Sequence, residues 1–193
     1  MCLESFNLFR VETMLPSPDY PMLLVLCTGN VCRSPMAETL FRHHLLRNNL
    51  QASVISRGLA ASVGSPPHRY VTELADAHGM PLPSDKRAAN ATSAEIAAAS
   101  AIFIMDDEHR REMRQRFAAA TGKVFLLGHW QGLQIVDPLR MPFGIFESTW
   151  RQIDLCTRDW VSRLRETGMV KPVTGTIAMT VSTQTRPPGI ARA

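Results

Sequence analysis

Short apolar runs separated by amphipathic stretches constrain this chain more than any other feature. Leu23-Leu24-Val25-Leu26 is too short for a helix and suits a strand buried on both faces. Ala101-Ile102-Phe103-Ile104-Met105 and Lys123-Val124-Phe125-Leu126-Leu127 repeat the pattern, and Ser53-Val54-Ile55-Ser56 reads as a further strand. Helical patterns fill the intervals over 34–47, 69–78, 93–99 and 107–119, and a last helix fits Phe143 to Glu166. Met36, Leu40, Phe41 and Leu45 face inward on the first helix; Phe146, Trp150, Ile153, Trp160 and Leu164 do so on the last. Strands alternating with helices imply an α/β fold, a four-stranded parallel sheet with helices on both faces.

A length of 193 residues suits one domain, placed here at 21–167. Residues 1–20 form an extension with no clear place in the sheet, and 168–193, rich in Thr, Pro and Gly, are expected to be a disordered tail. The net charge of +4 comes from scattered Lys and Arg with no basic run interleaved with aromatics, so no nucleic-acid partner is expected. No apolar run reaches the ~20 residues a membrane span needs. The first residues lack the order of a secretory signal, which gives a cytoplasmic expectation without membrane insertion. A monomer is expected.

The cysteines are Cys2, Cys27, Cys32 and Cys156. A zinc site from Cys27, Cys32, His43 and His44 fails on spacing, because the His pair is adjacent where tetrahedral sites usually separate their histidines by three to five residues. No metal or cofactor is expected. Cys2 and Cys156 are read as chemically silent, and His43, His44, His109 and His129 as solvated or helix-end residues.

The specific chemistry converges on Cys27-Thr28-Gly29-Asn30-Val31-Cys32-Arg33-Ser34-Pro35, between a buried strand and a helix start. Helix N-termini favour negative charge, and successive amides from Thr28 to Arg33 can ring an anion. Gly29 permits a tight path. Arg33 adds a planar fork that binds two phosphate oxygens together. The same surroundings favour a thiolate at Cys27, the form that attacks phosphorus. A nucleotide-binding loop needs Gly at both ends followed by Lys and Ser or Thr, so that reading fails. An aryl leaving group also needs a proton, since the tyrosine phenol has a pKa of about 10. Asp137, in Ile135-Val136-Asp137-Pro138, is the candidate acid, on a loop that its proline holds extended.

The stretch from Val25 to Glu38 resembles the signature of the low-molecular-weight protein tyrosine phosphatases, and the likeness runs from about Met22 to Leu164. Further matches are Ser56 with Gly58, His78-Gly79, Met105-Asp106 and Asp137-Pro138. The resemblance implies a flavodoxin-like strand order 2-1-3-4 and a metal-free reaction through a phosphocysteine. It implies Cys27 as nucleophile, Arg33 as clamp and Asp137 as acid and then base. Thr28, Gly29, Asn30, Val31, Cys32 and Ser34 would line the phosphate, with the Ser34 hydroxyl on the thiolate. Asn30 would be held in a left-handed turn by Ser56 and His78, although a packed histidine with a structural role alone is the alternative at 78. Cys32 is implied as a redox partner of Cys27, with a structural thiol the open alternative.

Departures point within the family. Ser62, in a shortened 56–64 loop, stands where a large wall residue is usual, and Leu139 replaces an aromatic before Arg140. That combination resembles the bacterial subclass paired with tyrosine autokinases of capsule and exopolysaccharide synthesis, and implies such a phosphotyrosine protein as partner. Arg140 would meet acidic residues beside the target tyrosine. In this fold a Thr at the position of Val31 accompanies phosphoarginine, and a branched apolar residue accompanies phosphotyrosine. Asp85-Lys86-Arg87 stands where a His and a later Arg are frequent, and Ser100 replaces an Asp. These changes are expected to touch stability or surface chemistry. Two rival readings are weighed: a thiol-dependent arsenate reductase of the same fold, and a non-catalytic phosphate-binding module. The thiol-relay reductase needs a further cysteine pair, and none lies between Met80 and Gly128; the cysteine count leaves a glutaredoxin-coupled variant open. The binding module has no use for both Cys27 and Asp137.

Overall fold

A computed structural model describes residues 20–173. Strand β1, Met22–Cys27, is the centre of the sheet, and five of its six residues are buried. It leads into helix α1, Arg33–Arg47, whose Met36, Leu40, Phe41 and Leu45 enter the core as the periodicity requires. A two-residue strand β2, Leu50–Gln51, precedes β3, Ser53–Gly58. Helix α2 covers Arg69–Ala77, α3 covers Ser93–Ala98, and β4 covers Ala101–Ile104. Helix α4, Asp107–Arg116, starts at Asp106, whose side chain accepts from the His109 amide at 2.9 Å. It ends earlier than its pattern suggests, because a separate 3₁₀ turn, Ala118–Lys123, takes up the residues before β5, Val124–Leu126. Helix α5, Phe143–Glu166, has the bounds expected of it.

The sheet order is β3-β1-β4-β5, all parallel, which is the order 2-1-3-4 expected for the four main strands. Its two faces bury separate clusters. On one, Leu23, Val25 and Phe103 meet α1, α2 and α5; on the other, Leu24, Leu26, Ile102 and Ile104 meet α3 and α4. Removing each such side chain from water contributes about 2 kcal/mol, so the alternation along β1 fixes both layers at once. Packing continues past residue 167, where the domain was expected to end. Val170 is buried and β6, Lys171–Pro172, pairs antiparallel with β2. Thr, Pro and Gly content alone concealed that contact, because two backbone-paired residues need no apolar pattern. Residues 1–19 and 174–193, where the extension and most of the tail were placed, lie outside the described residues.

Candidate active site

The end of β1 and the start of α1 are joined by a loop whose carbonyls are tied outward. Cys27 O, Thr28 O and Gly29 O accept from the amides of Leu59, Ala60 and Ser62 at 2.9–3.1 Å, and Val31 O accepts from His68 N at 2.9 Å. A trans peptide points its N–H opposite its C=O, so these ties turn the following amides toward the loop's interior. The close seat of the 58–64 segment explains Gly58. A Cβ there would lie 2.6 Å from Thr28 O and 2.9 Å from Ala61 Cα. Helix α1 has no side-chain cap, so its leading amides remain open to an anion.

Asn30 holds the left-handed turn expected of it, with φ of 56°, and its side chain supplies the reason. Asn30 Nδ2 donates to Ser34 Oγ at 2.9 Å and to Ser56 Oγ at 3.0 Å, while its Oδ1 accepts from Ala89 N at 3.1 Å. His78 takes no part in this. Its ring stacks on Trp150 at 5.3 Å and it caps the end of α2 in an exposed position, away from the bonds that hold Asn30. Ser56 is instead backed by Lys86, which the sequence placed among stability or surface changes. Lys86 Nζ lies 2.9 Å from Ser56 Oγ and 2.5 Å from Glu38 Oε2, and Ser56 donates to the same Glu38 oxygen at 2.6 Å. With Asn30 donating to both serines, the one Ser34 proton has two acceptors in reach, Cys27 Sγ at 3.0 Å and Arg57 O at 3.4 Å, and the sulfur is the nearer. The Asn30 amide reaches the same sulfur at 3.3 Å. Both contacts bring polar hydrogens to the sulfur.

Arg33 is 4% exposed and bound on three sides. Its Nη1 donates to Asp106 Oδ2 at 2.9 Å and to Ile135 O at 3.1 Å, and its Nη2 donates to Asp137 Oδ2 at 2.7 Å. Nε is buried without a partner. Both Nη1 protons are therefore committed to the protein, and the Nε–Nη2 edge is the one left to grip a tetrahedral oxyanion. Asp137 stands on the loop after β5 with its side chain 44% exposed, its Oδ1 accepting from Leu139 N at 3.1 Å. Asp106 is the residue that sequence reasoning used only as a match and missed as a clamp. Burial opposes its charge, but the His109 amide, the imidazole and Arg33 hold its carboxyl below the usual range.

A sequence model described as low molecular weight phosphotyrosine protein phosphatase matches residues 22–170. The chain belongs to this family. Among its relatives, the probable low molecular weight protein-tyrosine-phosphatase EpsP of Ralstonia nicotianae is 37% identical over 146 residues, 76% of this chain and 97% of that protein. The tyrosine phosphatase Wzb of Escherichia coli K30, solved with sulphate, is 29% identical at a TM-score of 0.69, covering 75% of this chain and 99% of that one. The YwlE arginine phosphatase is 24% identical at a TM-score of 0.71, covering 75% and 96%, and shares the fold. Family membership sets aside the arsenate-reductase reading.

Other expected residues of this phosphatase fall as follows. Ser62 lies beside Gly29, its Oγ 3.8 Å from where a Gly29 Cβ would be. Leu139 and Arg140 are exposed next to Asp137, and Arg140 holds a left-handed φ of 67° in the turn closed by Met141 N to Pro138 O at 2.9 Å. Val31 packs against the main core. Cys32 is buried at the N-cap of α1; burial first, then the charges of Asp137 and Cys27, push its thiol up to about 12. Burial pushes the Cys156 thiol up to about 11. His109 is at a helix end, in the first turn of α4, as one of the two expectations had it, but it is buried and not solvated: its Nε2 lies 3.0 Å from Thr28 Oγ1. Its Nδ1 is 2.7 Å from Asp106 Oδ1, though not aligned as a hydrogen bond. Among the described residues, no cluster of three or more His, Cys, Asp or Glu could hold a metal ion, and no helix is long and apolar enough to cross a membrane.

Proposed function

We propose that this phosphatase hydrolyses phosphotyrosine in protein through a phosphocysteine. The observation that carries the reading is the buried, unpartnered Nε of Arg33 at an uncapped helix start where Cys27 Sγ receives two hydrogen bonds. A phosphate dianion seated there takes the Nε–Nη2 edge, and in doing so displaces Asp137 Oδ2 from Nη2. The freed carboxyl, protonated, faces the leaving oxygen. Cys27 Sγ attacks phosphorus, the P–O bond to the ring breaks, and Asp137 gives its proton to the departing phenolate. Asp137 then takes a proton from water as the water oxygen attacks phosphorus. The S–P bond breaks, inorganic phosphate leaves, and the thiolate returns. Inward amides and Arg33 hold the equatorial oxygens throughout, where charge develops.

The substrate class follows from the walls. Val31 in the loop favours phosphotyrosine over phosphoarginine, and the Leu139-Arg140 continuation favours the bacterial subclass that acts on tyrosine autokinases of exopolysaccharide synthesis in the cytoplasm. Arg140 is the contact for acidic residues beside the target tyrosine. Steady-state rates on a tyrosine autokinase tail, a generic phosphotyrosine peptide and a phosphoarginine peptide test this. The autokinase tail is expected to give the highest kcat/KM and phosphoarginine the lowest; a preference for phosphoarginine overturns the assignment.

A further inference from the structure

A buried imidazole that the reaction does not call on joins two parts of the site. His109 is 3% exposed on α4, and its ring touches both Thr28, which follows the nucleophile, and Asp106, which orients Arg33. Asp106 serves three partners with two oxygens. Oδ1 caps α4 at the His109 amide and lies against the His109 ring; Oδ2 holds Arg33 Nη1. A carboxylate so placed cannot rotate to follow Arg33 without giving up its cap. The imidazole blocks that rotation from one side.

The protonation of the ring follows from its neighbours. A carboxylate oxygen 2.7 Å from Nδ1 would repel a lone pair there, which favours the tautomer with its proton on Nδ1. Burial, the largest influence, together with Arg33 keeps the imidazole below its usual value despite Asp106, so the ring is neutral near pH 7. Nε2 is then an acceptor, and the Thr28 hydroxyl must donate to it. That fixes the Thr28 side chain on the α4 side of the loop, while its carbonyl is held by Ala60 N at 3.0 Å. The first peptides of the cradle are thereby pinned from both sides.

We propose that His109 is a positioning residue for phosphate: through Thr28 it sets the first turn of the cradle, and through Asp106 it sets the Nε–Nη2 edge of Arg33. The hydroxyl, imidazole and carboxylate lie in the order of a hydrolytic triad, but the ring is buried and its Nδ1 contact is misaligned. Holding two loops in register is the role that geometry supports.

The inference rests on the phosphatase reading, and its test is chosen to fail separately. Binding of inorganic phosphate is measured by titration calorimetry for the parent, Thr28→Val, His109→Leu and the double variant, with no turnover needed. Each single change breaks the same hydrogen bond and is expected to weaken phosphate binding about tenfold. The double variant is expected to lose about as much as His109→Leu alone, since the second change finds the bond already gone. Nitrogen NMR of the parent should show the Nδ1-protonated neutral ring, with the Nε2 signal displaced in Thr28→Val. Losses that multiply in the double variant overturn the proposal. So does unchanged phosphate affinity in Thr28→Val, an exposed loop change that spares the core, even if His109→Leu proves unstable. A parent that binds phosphate yet hydrolyses no aryl phosphate counts against the enzyme reading and leaves this coupling measurable.

Discussion

Lys86→Met removes the cation that backs the cradle. Lys86 Nζ sits 2.5 Å from Glu38 Oε2, with the two side chains 11% and 5% exposed. Deleting one member of a buried pair strands the other charge, at a cost of about 3–5 kcal/mol. Arg42 reaches the second Glu38 oxygen at 2.6 Å but is 43% exposed, so water screens it and it offsets only part of the loss. We place the net destabilisation at about 2–3 kcal/mol. A domain of this size drops about 2–4 °C per kcal/mol, which gives a fall of roughly 4–12 °C in Tm. Thermal unfolding followed by circular dichroism reads it directly. Adding Glu38→Leu to Lys86→Met removes the stranded charge and should recover at least part of the fall, because an apolar pair can replace a buried ion pair. A Tm for Lys86→Met within about 1 °C of the parent, or a double variant worse than the single, refutes the reasoning.

Three further outcomes are expected. Gly58→Ala drives a Cβ to within 2.6 Å of Thr28 O and 2.9 Å of Ala61 Cα, both backbone atoms, and should raise KM for an aryl phosphate as well as lower Tm; an unchanged KM contradicts the seat assigned to this loop. Burial holds the imidazoles of His43, His68 and His109 below their usual value, so the unfolded chain binds more protons just below about pH 6.5. Stability is then full above that pH and falls as the pH drops through the folded values; a Tm that rises from pH 7 to pH 5 contradicts it. Peroxide inactivation should be reversed by a dithiol, and Cys32→Ala should make it permanent, whereas full recovery in that variant removes Cys32 from a redox role.

The fold was legible because burial has a period. Leu23 to Leu26 could only be a two-faced strand, and Phe146, Trp150, Ile153, Trp160 and Leu164 could only line one side of a long helix. The cradle was legible because few residue orders place a Cys and an Arg on one helix start. What the sequence hid was pairing across distance. Lys86 and His78 are both polar residues after a helix, and nothing local says which one turns inward to Ser56. His109 looks like an ordinary residue near a helix start until Thr28 and Asp106 are seen around its ring. Asn30 falls between: its left-handed turn and its tie to Ser56 were implied by the resemblance, but the bonds to Ser34 and Ala89 that complete its hold were not. The short β2–β6 pair escaped because backbone pairing leaves no mark on composition.

The most direct measurement is a search for the covalent intermediate. Asp137→Asn, mixed with an aryl phosphate bearing a good leaving group and quenched in acid within a turnover, is digested and its peptides weighed. The account predicts one added phosphoryl group on the peptide containing Cys27, at a level that rises in this variant because water is no longer deprotonated. Turnover with Cys27 never modified, or a phosphoryl group carried on another residue, contradicts it.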